Sequence, residues 1–281
     1  MAEATTFVRT ARRGSVATVT MARPEVHNAF DEHVISQLKE AFERLGEDDR
    51  LRVVVLSASG GSFSAGADLD WMRRAAEMSE EDNRRDAAAL AAMLRAVAHC
   101  PHPVVARVQG SALGGGAGLV AASDIAVAAE SALFGFTEVR LGLVPATISP
   151  YVVEKIGPGQ ALPLFLTGER FGAARALEIG LVFRVVPEAE LDAAVRAVVE
   201  ALLAGGPRAQ AVCKGMVRRL SASGGLDRGL VDGYTSRVIA GVRAGEEARE
   251  GVRAFLDKRQ PDWASISPRR RGGRGAGGES P

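Results

Sequence analysis

Cysteine is almost missing from this 281-residue chain, which carries only Cys100 and Cys213. Two cysteines build no disulfide framework, and both are expected as free, buried thiols. Net charge is missing too: 35 basic side chains against 34 acidic ones leave +1, which argues against a strongly polyanionic partner. No uninterrupted apolar run is long enough to span a bilayer, so no membrane association is expected. A signal-peptide core is lacking, since Arg9, Arg12 and Arg13 interrupt the N-terminal stretch. An organelle presequence is disfavoured by a strand expected as early as Val16, and the expected location is cytoplasmic. The length admits one large domain, or a domain with an appendage, around a substantial core.

Glycine, by contrast, is concentrated where it can act chemically. Residues 112–119 read Ala-Leu-Gly-Gly-Gly-Ala-Gly-Leu, between a valine-rich run and an alanine-rich one. Backbone without side chains falls there at a strand-to-helix junction. A ligand can then approach main-chain N–H groups that already carry the helix's partial positive charge. Such a cradle suits a phosphate or an oxyanion. The phosphate fingerprints do not fit. Leu119 stands where G-x-G-x-x-G needs its third glycine, and Leu119-Val120 stand where a P-loop needs Lys and Ser or Thr. A close helix–strand contact without a ligand is the plain alternative for a lone glycine cluster. A second stretch, Phe63-Ser64-Ala65-Gly66-Ala67-Asp68-Leu69, favours a site: it too follows an apolar run, Val53 to Leu56, and sets small residues before a helix.

Apolar periodicity predicts strands alternating with helices. Val16–Thr20, Val53–Ser57, Val104–Val108, Ile125–Ala128 and Val182–Val186 read as strands. Asp31 to Leu45 reads as an amphipathic helix with Val34, Ile35, Leu38, Ala41, Phe42 and Leu45 on one face and Asn28 or Asp31 as its cap. This alternation predicts an α/β core. From about Leu191 the chain is mostly helical, with breaks at Gly205-Gly206-Pro207 and Ser223-Gly224-Gly225. The Arg/Gly-rich stretch 268–279 has no apolar face and is expected to be disordered. Its four arginines lack interleaved aromatics, so a solvated tail is preferred to a nucleic-acid arm.

The two glycine-bearing stretches, F-S-A-G-A-D-L and G-S-A-L-G-G-G-A-G-L, resemble the crotonase (enoyl-CoA hydratase/isomerase) superfamily. Further matches run in order along the chain: Arg23 to Phe30, Phe134 to Pro145, Leu166 to Arg170, Glu178 to Val182 and Ala254 to Arg259. The segments 65–72 and 140–151 are similar to bacterial methylglutaconyl-CoA hydratase-like proteins. The resemblance implies a spiral of ββα repeats over residues 1–190, a helical trimerisation region over 191–262 and the tail over 263–281. It also implies a homotrimer or dimer of trimers, and coenzyme A as part of the substrate with no tightly bound cofactor.

Thioester enolate chemistry states what such a site needs. The proton beside a thioester carbonyl is weakly acidic, so charge developing on oxygen must be stabilised by preorganised N–H donors. By motif correspondence these are the amides of Ala67 and Gly115. The family's hydratases commonly use two glutamates. One matches Glu138; the other position holds Gly118. A single carboxylate fits Δ3–Δ2 double-bond migration, and it also fits a one-glutamate hydratase branch, in which glycine at the first position also occurs. The surrounding residues favour hydration. A catalytically silent acyl-CoA- or RNA-binding homologue is the alternative of another class, and Glu138 in its full motif argues against it.

Other residues have two readings each. Asn28, Ala29, Ala65 and Gly66 match backbone positions that hold the CoA portion, and Phe255 and Lys258 match residues that reach its nucleotide groups, often across a subunit boundary. Lys258 reads equally as a solvated helix end. Asp68 caps the following helix or orients polar groups, Trp71 and Met72 line an acyl pocket or pack in the core, and Tyr151, Thr147 and Ser149 hold water or substrate or are structural. Arg73 and Arg74 are candidate counter-ions for an acidic acyl group. His99-Cys100-Pro101-His102 reads as a loop before a strand and not as a metal site, because Pro101 spoils helical ligand geometry and no partner cluster follows.

Overall fold

The computed structural model describes residues 6–221 and 227–266. A hairpin of β1 (Val8–Arg13) and β2 (Val16–Met21) opens a six-stranded sheet. It continues through β3 (Val53–Ala58), β4 (Val104–Val108), β6 (Ile125–Ala129) and β9 (Arg184–Val186), all parallel after the hairpin. A smaller sheet joins β5 (Ser111–Leu113), β7 (Leu133–Gly135) and β8 (Arg170–Gly172). Two isolated parallel bridges, Ser64 to Ala112 and Phe30 to Ala67, extend this second layer. The chain thus winds repeatedly from the large sheet to the small layer and then into a helix. Strand β3 leads through Ser64 to α2 (Leu69–Glu77), β4 through β5 to α4 (Gly115–Ala122), and β6 through β7 to α5 (Ser149–Ile156).

The large sheet is buried on both faces, which explains its nearly unbroken apolar strands. Val54 and Leu56 face a core completed by α1 (Glu32–Gly46), α3 (Glu80–Ala98) and α4, while Val53, Val55, Val105 and Val127 face α8 (Leu191–Ala204). Each such side chain contributes about 1.5–3 kcal/mol when fully removed from water. Helix α1 buries the six residues expected of it, and Asp31 caps it by accepting the Val34 N–H at 2.8 Å.

Three expectations need correction. Strand β9 starts at Arg184 and not Val182, because the Leu181 and Val182 amides both turn back onto the Ala176 carbonyl at the end of α7 (Ala173–Glu178). Residue 191 does not separate core from appendage: Leu191, Val195 and Val198 of α8 complete the second core, so the helical arm begins beyond Gly205. Trp263 does not open a disordered tail. It lies in a short turn, Asp262–Ile266, donates from Nε1 to the Ala204 carbonyl and accepts from buried Arg52.

The arm comprises α9 (Pro207–Ser221), α10 (Arg228–Ala244) and α11 (Glu246–Leu256); α6 (Pro158–Thr167) follows α5 in the body. Neither α9 nor α10 buries a residue within one chain. Cys100 is buried as expected, but Cys213, on α9, is exposed. The break at Ser223–Gly225 and the stretch 268–279 lie outside the described residues.

Candidate active site

The Phe30–Ala67 bridge determines where the Ala67 amide points. Phe30 donates to the Gly66 carbonyl at 2.7 Å and accepts from the Asp68 amide at 2.8 Å. In a parallel bridge these are the groups flanking Ala67, so the N–H of Ala67 itself is turned to the opposite side. Gly115 is the first residue of α4, and the first helical bond of that helix is Gly118 N–H to Gly114 carbonyl at 3.0 Å. Its N–H is therefore one of the unpaired donors at a helix start. Neither amide has a hydrogen-bond acceptor among the described residues.

Glycines bring these two amides together. Gly66 (φ +93°) and Gly114 (φ +50°), the residues just before them, pack backbone on backbone: a Cβ on Gly66 would sit 2.9 Å from the Leu113 carbonyl oxygen and 3.7 Å from the Gly114 Cα. A Cβ on Gly114 would sit 3.3 Å from Glu138 Oε1. The glycine pair, both free donors and the Glu138 carboxylate therefore share one corner.

Glu138 opens a short 3-10 turn, Glu138–Leu141, directly after β7, and is half-buried. Burial pushes its carboxyl above the ordinary glutamate range, against a smaller opposing pull from a backbone hydrogen bond. Its Oε2 is buried without a hydrogen-bond partner. A carboxyl with one buried oxygen unpaired, held in low-dielectric surroundings beside two free N–H donors, is equipped to accept and return a proton.

A cleft of about 1030 Å³ opens beside this corner, lined among others by Ala29, Ala65, Ala67, Asp68, Met72 and Leu141. Arg140 and Arg170 line it too, and neither forms an ion pair among the described residues. Asn28, Gly66, Gly115 and Glu138 do not line it, although Leu113 and Thr137, next to Gly114 and Glu138, do. The Asn28 side chain is consumed in the fold, donating to the Ser59 and Ser62 carbonyls, each at 2.8 Å, and accepting from the Arg23 amide at 2.9 Å.

Several expected pocket residues lie elsewhere. Trp71 packs on the core and donates to Asp86 at 3.2 Å. Tyr151 lines a second cavity, of about 780 Å³, at the C-terminal end of α4. The cations of that cavity are already engaged: Lys214 and Arg218 pair with Asp124, and Lys155 donates to the Ser123 and Asp124 carbonyls. Arg73, by contrast, does line the cleft, where it meets Asp70 in an exposed pair, while Arg74 pairs with Glu32 and does not line it. Ser149 donates to the Ala146 carbonyl. Phe255 is exposed on the arm, and neither it nor Lys258 lines the cleft within one chain.

Gly118 is buried and off the cleft surface. A Cβ there would lie 2.3 Å from Ile148 Cγ2, so the room for a side chain at 118 is already filled with hydrocarbon. The missing carboxylate is legible in the sequence, but the isoleucine that takes its space, 30 residues further on and among Leu143, Val144 and Tyr151, carries no local signal.

Residues 11–266 match the family described as enoyl-CoA hydratase/isomerase. The chain belongs to this family. A solved enoyl-CoA hydratase from Shewanella pealeana is similar over 92% of this chain and 96% of that one, with 40% identity and a TM-score of 0.88. Carnitinyl-CoA dehydratase of Escherichia coli K12 is 35% identical over 260 residues, covering 90% of this chain and 96% of the relative. The enoyl-CoA hydratase EchA19 of Mycobacterium tuberculosis is 31% identical over 256 residues, 90% of this chain and 94% of the relative. This hydratase/isomerase is therefore an enzyme of the crotonase superfamily, with the α/β spiral that the resemblance implied. Among its described residues no helix is long and apolar enough to cross a membrane.

Proposed function

We propose that this enzyme adds water across the double bond of an α,β-unsaturated acyl-CoA, with the amides of Ala67 and Gly115 as the oxyanion hole and Glu138 as the single proton carrier. The observation that carries the reading is the shared corner: two amides without acceptors and one partnerless carboxylate oxygen, joined through the Gly66–Gly114 contact.

Glu138 takes a proton from water as its oxygen bonds to the β-carbon. The electron pair of the double bond shifts between the α-carbon and the carbonyl carbon, and the carbonyl π pair moves onto the thioester oxygen, where the two N–H groups hold the negative charge. Collapse of the enolate then takes the proton from Glu138 onto the α-carbon, so one water is added and the carboxylate is regenerated. Each N–H donor is worth about 3–4 kcal/mol of barrier in comparable holes. The start of α4 adds its dipole at Gly115.

Coenzyme A enters as part of the substrate, with no tightly bound cofactor. Ala29 and Ala65 on the cleft wall are suited to main-chain contacts with it, and unpaired Arg140 and Arg170 suit its anionic groups or an acidic acyl chain of the methylglutaconyl type. The solvent-facing arm suits a homotrimer or dimer of trimers in which Phe255 and Lys258 of one copy complete the cleft of another.

The hydrocarbon at Gly118 also supports a second reading, Δ3–Δ2 isomerisation, because that reaction needs one base and no water. Incubation with a panel of 2-enoyl- and 3-enoyl-CoAs, analysed by mass spectrometry, separates them. A gain of one water supports hydration, whereas unchanged mass with a moved double bond replaces it with isomerisation.

A further inference from the structure

We infer that Arg23 is a positioning residue for the oxyanion hole, clamping the two chain segments whose pairing aims the Ala67 amide. The inference rests on the reading of Ala67 as a donor.

Arg23 reaches both sides of the Phe30–Ala67 bridge. Its Nη1 donates to the Ala29 carbonyl at 3.1 Å, just before Phe30, and lies 2.9 Å from Asp31 Oδ2, just after it. Its Nη2 lies 3.2 Å from Asp68 Oδ2, just after Ala67. One guanidinium thus spans the neighbours of both bridge residues. The two carboxylates are themselves committed: Asp31 Oδ1 accepts the Val34 amide at the start of α1, and Asp68 Oδ1 accepts the Asp70 and Trp71 amides at the start of α2. Each acid caps a helix with one oxygen and holds Arg23 with the other.

The bridge stands outside any longer ladder; beside Arg23, the two segments are joined by the Phe30 bonds to Gly66 and Asp68 and by the Ala65 amide on the His27 carbonyl at 2.9 Å. The arrangement is also poor as a source of stability. The Arg23 side chain is only 13% exposed, its Nε is buried without a partner, and the Phe7 ring covers its Cζ at 4.7 Å. Burying a charge in this way returns little net stability, but it selects one geometry over near alternatives. A donor aimed at a developing oxyanion depends on that selection, because a misplacement of about 1 Å can cost 10²-fold in rate.

The test compares Arg23→Gln, Arg23→Lys and Asp68→Asn in the full chain, using a 2-enoyl-CoA and a saturated acyl-CoA as probes. Turnover of Arg23→Gln is expected to fall at least tenfold, with KM and saturated acyl-CoA affinity within threefold of wild type and the melting transition still cooperative. Arg23→Lys is expected to recover part of the loss, and the double variant with Asp68→Asn to lose less than the product of the single effects. Amide hydrogen exchange over residues 64–70 is expected to quicken in Arg23→Gln, a readout that needs no catalysis. Unchanged turnover and exchange in folded Arg23→Gln would overturn the inference. So would multiplicative losses with Asp68→Asn, or no recovery in a folded Arg23→Lys. A wild-type enzyme inactive on every enoyl-CoA would sink the proposed reaction, whereas the exchange result would still judge the clamp.

Discussion

The ring of Phe30 lies against the backbone of Gly115: a Cβ built on that glycine would sit 2.9 Å from Phe30 Cε2. The backbone of Phe30 at the same time pairs with the segment around Ala67. One buried phenylalanine therefore seats both proposed donors, one through its main chain and the other through its ring. Gly115→Ala is expected to displace the ring and cost about 1–3 kcal/mol of stability. Turnover is expected to fall by at least about 10²-fold, as in the loss of one oxyanion-hole donor. Phe30→Leu combined with Gly115→Ala is expected to regain part of the stability, measured by urea unfolding, because the smaller side chain gives the new methyl room. A fully active Gly115→Ala would show that the contact does not govern the site.

Glu138→Gln separates activity from stability. Burial raises the Glu138 carboxyl, so the fold favours its protonated form and holds the carboxylate at a cost. Replacing it with a neutral amide of the same shape is expected to abolish turnover, by about 10²–10⁴-fold or more for a lost proton carrier, while the melting temperature holds or rises. In wild type, kcat/KM for hydration is expected to rise with pH through a value above the ordinary glutamate range, because the reacting form is the carboxylate. An acid limb centred at or below the ordinary range would contradict the burial of this group.

Gly118 and Ile148 behave as one unit. With Ile148 Cγ2 only 2.3 Å from the place of a Cβ, Gly118→Glu is expected to fold poorly or unfold at markedly lower denaturant, whereas the double change with Ile148→Gly opens the needed room. Circular dichroism melts of the single and double variants check this. Equal stability of the two would mean that the isoleucine moves aside freely.

Much of this was legible in the sequence, for physical reasons. The apolar face of α1, with its Asp31 cap, follows from 3.6-residue spacing alone, and β4 was bounded to the residue by Val104 and Val108. The strand-to-helix turn at Gly114 showed itself because only glycine permits the close approach of Gly66. What stayed hidden depends on long-range pairing. Asn28 read as an alternative cap for α1, but its side chain joins loops more than 30 residues apart, which no local pattern reports. Tyr151 read as a pocket residue because it follows the motif closely, yet the helix it sits on turns it to another cavity. The short strands β5, β7 and β8 have three residues each, too few for an alternation to be seen.

Protons taken up by histidine set a further expectation. Burial lowers the affinity of His102 for a proton, against a hydrogen bond with the Leu45 backbone that works the other way; His99 is lowered by burial and by Arg218 and Lys214 nearby. A group whose folded value lies below its unfolded one destabilises the fold as pH falls through the unfolded value, near 6.5, because the unfolded chain takes up protons that the folded chain refuses. Above that pH both states are neutral and the effect vanishes. Urea unfolding at pH 7.5, 6.5 and 5.5 is therefore expected to show falling stability across the last step, with a shallower fall in His102→Gln than in wild type. The buried Nε2 of His102 has no hydrogen-bond partner, so a proton placed there would find no acceptor. An identical pH slope in the variant would mean that His102 titrates alike in the folded and unfolded chain.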